Sequence, residues 1–256
     1  KPSGIEWLGD IPEHWEVMYC KRLLTLLTDY TANGSFGDLA KNVTYLDEGF
    51  ARLIRLTDLR VDLANKGVYV SKHSYDYLAK SALQGGEFLI ANVGAYAGYS
   101  CIMPSIEYPS TLGPNMMMAK FKNDFVSTEF ISIAFNSDYI QTQLKIKANN
   151  TAAQPKINKD DFKNVKIAVP SIDDQIKILS FIKNKCAILD KSIKRIEDEI
   201  SLITEYRNSL ISDVVTGKVD VRNIVVEELE EEIIEGTELD EDSIDEEVLE
   251  AEDGDE

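Results

Sequence analysis

The longest regular pattern in the chain lies between residues 179 and 214, where apolar positions recur at alternating spacings of three and four. One row is Leu179, Cys186, Ile193, Ile200, Arg207 and Val214; the other is Ile182, Leu189, Ile196, Ile203 and Leu210. Arg207 alone interrupts this seam. The spacing is the heptad period of a helix that offers one apolar stripe to a partner. Lys194, Arg195, Glu197, Asp198 and Glu199 lie off the seam and solvate the rest of the surface. Such a helix cannot bury its stripe against itself, so the pattern predicts docking on another helix. At 1.5 Å per residue its heptads would span about 54 Å. Asp173, Asp174 and Gln175 supply acidic, cap-competent residues at its start. The stretch Thr216-Gly217-Lys218-Val219-Asp220-Val221-Arg222 ends it.

Upstream, short patterns of both periods alternate, which predicts a mixed α/β or α+β globular domain over 1–170. Ile11-Pro12-Glu13-His14-Trp15 reads as an opening turn anchored by Trp15. Residues 19–28 fit either a short helix or a strand. Arg52-Leu53-Ile54-Arg55-Leu56 alternates with the strand period. Residues 74–83 read as a helix capped by Ser74, with Tyr75, Leu78, Ala79 and Ala82 on its apolar face, ended by Gly85 and Gly86. Residues 87–91 form a buried strand, 92–98 a glycine turn and 99–103 the return strand. Pro114 and Asn115 open a strand over 116–121, and Ser127 opens a helix. Residues 149–158 are polar and read as a loop, followed by a last strand over 165–169. The chain thus divides into a domain (1–170), a long helix with its terminator (171–222) and a tail (223–256).

Charge distribution changes what the net charge of −18 means. The 18 acidic residues from Glu227 onward sit in a stretch without Lys or Arg, and removing them from the total of 45 leaves 27, equal to the 27 basic residues. The body is formally neutral and the excess belongs to the tail, expected to be disordered beyond about residue 235. Three scattered cysteines, Cys20, Cys101 and Cys186, form no CxxC pair and suggest a reduced, intracellular, cytoplasmic protein. No signal-peptide pattern opens the sequence, and the lack of an initiator Met suggests a piece of a longer chain or a trimmed one. The most apolar stretch, 88–103, is too short to span a membrane and reads as core.

Catalytic material is sparse. The two histidines, His14 and His73, lie far apart and read as surface or structural groups rather than members of a triad or metal site. No phosphate-binding loop and no dinucleotide fingerprint is present. Binding chemistry is better represented. Arg52, Arg55 and Arg60 fall along or near one predicted strand, followed by Lys66, Lys72 and Lys80. Lys145, Lys147, Lys156 and Lys159 flank a loop that carries Asn149, Asn150 and Gln154. Amides and guanidiniums read base edges, and lysines suit phosphates. Tyr96, in the glycine turn, is a candidate DNA contact or a packed aromatic.

Four stretches together resemble the specificity subunit of type I restriction–modification systems. Ser3-Gly4-Ile5-Glu6-Trp7-Leu8-Gly9-Asp10-Ile11-Pro12-Glu13-His14-Trp15 is similar to the family's opening of a target recognition domain. Residues 83–98, with Gly-Glu-Phe-Leu-Ile and Val-Gly-Ala-Tyr-Ala-Gly, resemble its central hairpin. Ile167-Ala168-Val169-Pro170 before Asp174-Gln175 resembles the junction into its conserved helix, with Asp174 in place of the usual Glu. Residues 210–222 resemble the helix terminator.

The resemblance implies a non-catalytic subunit that reads double-stranded DNA. A complete member has two recognition domains, each reading half of a split target, and two antiparallel helices that set the gap. One domain and one helix then imply a half-subunit that dimerises or the C-terminal half of a full subunit. The implied partners are methyltransferase subunits, endonuclease subunits and a second specificity half or copy. S-adenosylmethionine, ATP and Mg²⁺ would belong to those partners, with no cofactor or metal in this chain. Two other classes compete. A coiled-coil assembly protein binding protein only predicts scattered basic residues, and an enzyme predicts a pocket lined by convergent carboxylates.

Overall fold

The computed structural model describes residues 1–61, 63–148 and 155–222. It contains two compact units, one of residues 1–189 and one beginning at Asp190. The acidic tail expected over 223–256 lies outside the described residues.

In chain order, β1 (Glu16–Tyr19), one helical turn α1 (Cys20–Leu23) and β2 (Leu24–Asp29) open the first unit, followed by α2 (Phe36–Asn42). Next come β3 (Tyr45–Leu46), β4 (Ala51–Ile54), the single turn α3 (Leu56–Leu59), β5 (Val68–Val70) and α4 (Lys72–Tyr77). β6 (Ala82–Leu83), β7 (Phe88–Ala91), β8 (Ser100–Ile102), β9 (Ser110–Leu112) and β10 (Met116–Phe121) complete the middle of the chain. Three helices follow, α5 (Thr128–Phe135), α6 (Asp138–Ala148) and α7 (Lys159–Lys163), then β11 (Lys166–Val169) and the 44-residue α8 (Ile172–Val215).

The strands form a two-stranded ladder β1–β11, a four-stranded sheet in the order β2-β10-β7-β8, and a five-stranded sheet in the order β3-β5-β4-β9-β6. Only β4 and β9 pair in parallel among these neighbours. The two inner strands of the four-stranded sheet, β7 and β10, are buried on both faces. Phe88, Ile90, Met117 and Ala119 join Phe135, Phe162 and Leu144 of the helices in one core. Their alternates Leu89, Met116 and Met118 join Ile54 and Leu112 of the five-stranded sheet in a second. Alternation across a pleat explains why β7 and β10 read as unbroken apolar runs rather than as amphipathic strands. The five-stranded sheet repeats the device, with Leu53 packing beside Tyr30, Leu39 and Leu78 in a third cluster while Ile54 faces the second.

Several local expectations are corrected. Residues 19–28 form neither one helix nor one strand, because the turn α1 buries Cys20 and Leu23 between two strands. The helix expected over 74–83 is α4, which starts earlier and ends at Tyr77. Its cap is Ser71, whose Oγ accepts from the Ser74 N–H at 3.2 Å. Ser74 itself is buried and donates its hydroxyl to the Asn42 carbonyl at 2.9 Å. A 3₁₀ turn over Ala79–Ser81 and β6 occupy the rest of that stretch. β10 and α5 lie where the sequence places them, with Ser127 Oγ accepting from the Phe130 N–H at 3.1 Å.

Candidate nucleic-acid interface

The glycine turn over 92–98 is anchored on the segment 155–157. The Asn92 carbonyl accepts from the Ile157 N–H at 2.9 Å, and the Gly94 N–H donates to the Pro155 carbonyl at 3.0 Å. An antiparallel bridge pairs Val93 with Lys156. Gly94 (φ +91°) and Gly98 (φ +99°) hold backbone conformations that side chains rarely adopt. At Gly98 a Cβ would also lie 3.3 Å from Gln141 Oε1, so α6 closes against the turn. Tyr96, 44% exposed, projects from this frame, and the Arg60 guanidinium lies over its ring at 4.2 Å from the centroid. Tyr96 and Lys156, far apart in sequence, therefore belong to one neighbourhood.

Beside the turn opens a cleft of about 760 Å³, walled by Phe36, Asn92, Asn115, Lys156, Asn158 and Lys159 among others. Phe36 is 77% exposed, an unusual position for a large apolar ring. Among the described residues the buried Asn92 Oδ1 has no hydrogen-bond partner. Three carboxylates also line the cleft, but each is engaged. Asp29 pairs with Lys159 at 2.8 Å, Asp160 with Lys163 at 3.2 Å, and Asp161 accepts from the Asn158 N–H at 3.0 Å. A pocket of convergent, free carboxylates, the mark of the enzyme reading, is not what this cleft offers. Among the described residues no group of three or more His, Cys, Asp or Glu is placed to hold a metal ion.

Burial removes Arg52 from the candidate contacts. It is 3% exposed, and its guanidinium donates to Asn65 Oδ1 at 2.6 Å, the Leu63 carbonyl at 3.0 Å and the Tyr108 hydroxyl at 3.2 Å. A Cβ at Gly67 would come within 2.7 Å of it. The polar residue of an alternating strand normally faces water; here both faces of β4 are covered. Arg55 is half-exposed and is held by the fully buried Asp58, to which its backbone N–H donates at 2.8 Å and its side chain at 3.1 and 3.2 Å. Burial pushes the Asp58 carboxyl up, but hydrogen bonds from Arg55 and Asn65 outweigh it and hold the group below the usual carboxylate range. Lys145 and Lys147 lie in the last turn of α6. Lys147 lines a different hollow, with Trp7, Tyr19 and Lys166. Asn149, Asn150 and Gln154 lie outside the described residues.

At the start of α8 two contacts join the helix to the domain. Gln175 is 1% exposed; its Oε1 accepts from the Ser127 N–H at 3.0 Å, and its Nε2 donates to the carbonyls of Phe125 at 2.9 Å and Pro170 at 3.0 Å. His14 of the opening turn meets Asp174 at 2.7 Å. That contact, first, and the Ser171 hydroxyl, second, hold the Asp174 carboxyl below its ordinary range. Periodicity alone reveals neither role, because both pairs join distant segments. Ile182 of the predicted seam is half-buried, whereas Leu189, Ile193, Ile196, Ile200, Ile203 and Leu210 are 44–60% exposed. No described helix is long and apolar enough to cross a membrane.

The model of the family described as the type I restriction modification DNA specificity domain matches residues 13–202. The MjaVIII type I restriction enzyme specificity subunit of Methanocaldococcus jannaschii is 24% identical over 225 residues, covering 85% of this chain and 49% of that protein. The chain spans about half the length of this curated relative. A chain from a structure explaining complex assembly and conformational transition of the type I R-M system is similar in fold, with TM-score 0.54 at 15% identity, covering 77% of this chain and 45% of that one. The HsdS subunit of Thermoanaerobacter tengcongensis gives TM-score 0.49 at 16% identity, over 72% of this chain and 41% of that one. With a family match over most of its length and the same mixed α/β fold as a chain of that system, this chain belongs to the type I restriction modification DNA specificity domain family.

Proposed function

We propose that this chain is a non-catalytic recognition component of a cytoplasmic type I restriction–modification complex. Its domain (1–170) reads one half of a bipartite double-stranded DNA target, and its helix (171–222) pairs with a second specificity half or copy. The chain scaffolds methyltransferase and endonuclease subunits, which carry S-adenosylmethionine, ATP and Mg²⁺. The observation that supports this reading best is the meeting of Lys156 and the exposed Phe36 in one cleft, beside the glycine turn that carries the exposed Tyr96. Rings stack on bases and lysines meet phosphates, so such a grouping suits nucleic acid better than the scattered cations expected of a pure assembly protein. The even balance of charge over 1–226 does not oppose it, because segregation by face is what matters to a polyanion.

Methylated sites mapped by sequencing, in cells with and without the gene for this chain, test the reading. Loss of one bipartite motif on deletion is the expected result. An unchanged methylation pattern rejects it.

A further inference from the structure

Arg60 is one of three arginines along or near the same strand, and the structure separates it from the other two. Arg52 is buried among internal acceptors, and Arg55 is bound to Asp58. Arg60 is exposed at the C-terminal cap of α3, and among the described residues its guanidinium makes no hydrogen bond or ion pair. That guanidinium lies over the ring of Tyr96 at 4.2 Å from its centroid. A cation over an exposed aromatic ring gains on the order of 0.5–1 kcal/mol, enough to favour one placement of a long side chain without occupying its N–H donors. Both ends of this pair are fixed. The Arg60 N–H donates to the Leu56 carbonyl at 3.2 Å, and Tyr96 sits on the turn that is bonded to residues 155–157.

We propose that Arg60, held in place by Tyr96, is a specificity-determining residue of this domain that reads a guanine in the major groove. Resting on the DNA-recognition reading above, the assignment adds one residue and one base to it. A guanidinium presents a planar fork of donors that matches guanine O6 and N7, the commonest specific contact to a base edge. Holding that fork in advance lowers the cost of ordering it on binding. Tyr96 is a positioning residue, acting through Arg60. A phosphate contact would need only charge and no such placement.

The test compares Arg60→Ala, Arg60→Lys, Tyr96→Leu and Tyr96→Phe in the assembled complex, by motif mapping and by titration with the mapped duplex and its single-base variants. Arg60→Ala and Arg60→Lys should both lose about 5- to 150-fold discrimination at one guanine, leaving the other positions intact. Tyr96→Leu should reproduce a smaller part of that loss, and Tyr96→Phe should restore it because the ring remains. Weakening by Arg60→Ala that is uniform across sequences, with Lys as an effective substitute, would identify a phosphate contact and overturn the proposal. Unchanged binding would leave Arg60 a helix cap and overturn it equally. If the unaltered complex shows no sequence preference, the recognition reading itself fails, a result distinct from both.

Discussion

His14 Nε2 lies 2.7 Å from Asp174 Oδ2, across 160 positions of sequence. The contact fastens the opening turn to the first turn of α8. Two of the four stretches that resemble family motifs, the opening turn and the junction into the helix, thus touch each other. Asp174 has its carboxyl held below the ordinary range, by His14 first. A depressed carboxylate contributes stability that is fully present above the unfolded-state value and is lost as pH falls through the lowered one. The Asp174 carboxyl followed by NMR titration should therefore titrate below an exposed Asp, and His14→Ala should move it back up. No movement in His14→Ala would show that Ser171 alone sets it.

Gln175 is the buried counterpart of that surface contact. Gln175→Ala leaves the Ser127 N–H and the Phe125 and Pro170 carbonyls without partners, a loss of about 2–3 kcal/mol. Gln175→Glu keeps the acceptor but sets an oxyanion against two carbonyls, so it should be worse than Ala. Thermal denaturation checks both the size and the order.

Arg52 is expected to matter for folding and not for DNA. Arg52→Met removes a buried cation 3.8 Å from the fully buried Asp58 and should cost about 3–5 kcal/mol. The loss should shrink in acid, as Asp58 protonates below its ordinary range. Whatever folded complex remains should bind its duplex as tightly as before. Chemical unfolding and a binding titration on the same preparation separate the two effects.

Neutralising Lys145, Lys147 and Lys156 together should weaken DNA binding by the assembled complex and flatten its salt dependence. Each lost phosphate contact lowers the slope of log K against log salt by about 0.9. An unchanged slope removes these lysines from the interface. Single variants then distinguish Lys156, beside the glycine turn, from the two lysines of α6.

Ile196→Asp with Ile203→Asp should abolish helix pairing and leave the domain folded. Both side chains are exposed in the single chain, 57% and 60%, so the charges harm nothing until a partner covers them. Sedimentation measures association and circular dichroism measures the fold. Association that persists would rule out the 179–214 stripe as the pairing surface.

Legibility in the sequence follows physical range. β10, α5 and α8 are readable because their signals are local: Pro114-Asn115 before an apolar run, Ser127 as a cap, and a helical period interrupted only at Arg207. The boundary error at α4 arises because Ser71 and Ser74 both offer a capping hydroxyl, and only the fold turns Ser74 inward to Asn42. Arg52 misleads for a related reason. Alternation reveals a strand but not what covers each face, and here the Arg52 guanidinium is met by a loop carrying Leu63 and Asn65. Tyr96 is singled out by its glycine frame, whereas Phe36 gives no signal, since a ring in an amphipathic helix reads as core until its exposure is seen.

The two inner strands of the four-stranded sheet, buried on both sides, also constrain how the chain can change. With no wet face, β7 and β10 have few positions where substitution leaves a core undisturbed. Room for change lies in side chains exposed beyond their ends, such as Tyr96 on the turn over 92–98, whose frame Gly94 and Gly98 hold. Those ends border the cleft. On the proposed reading, substitutions at those ends would alter a target without entering either core, so a change of preference and a loss of stability would be separable.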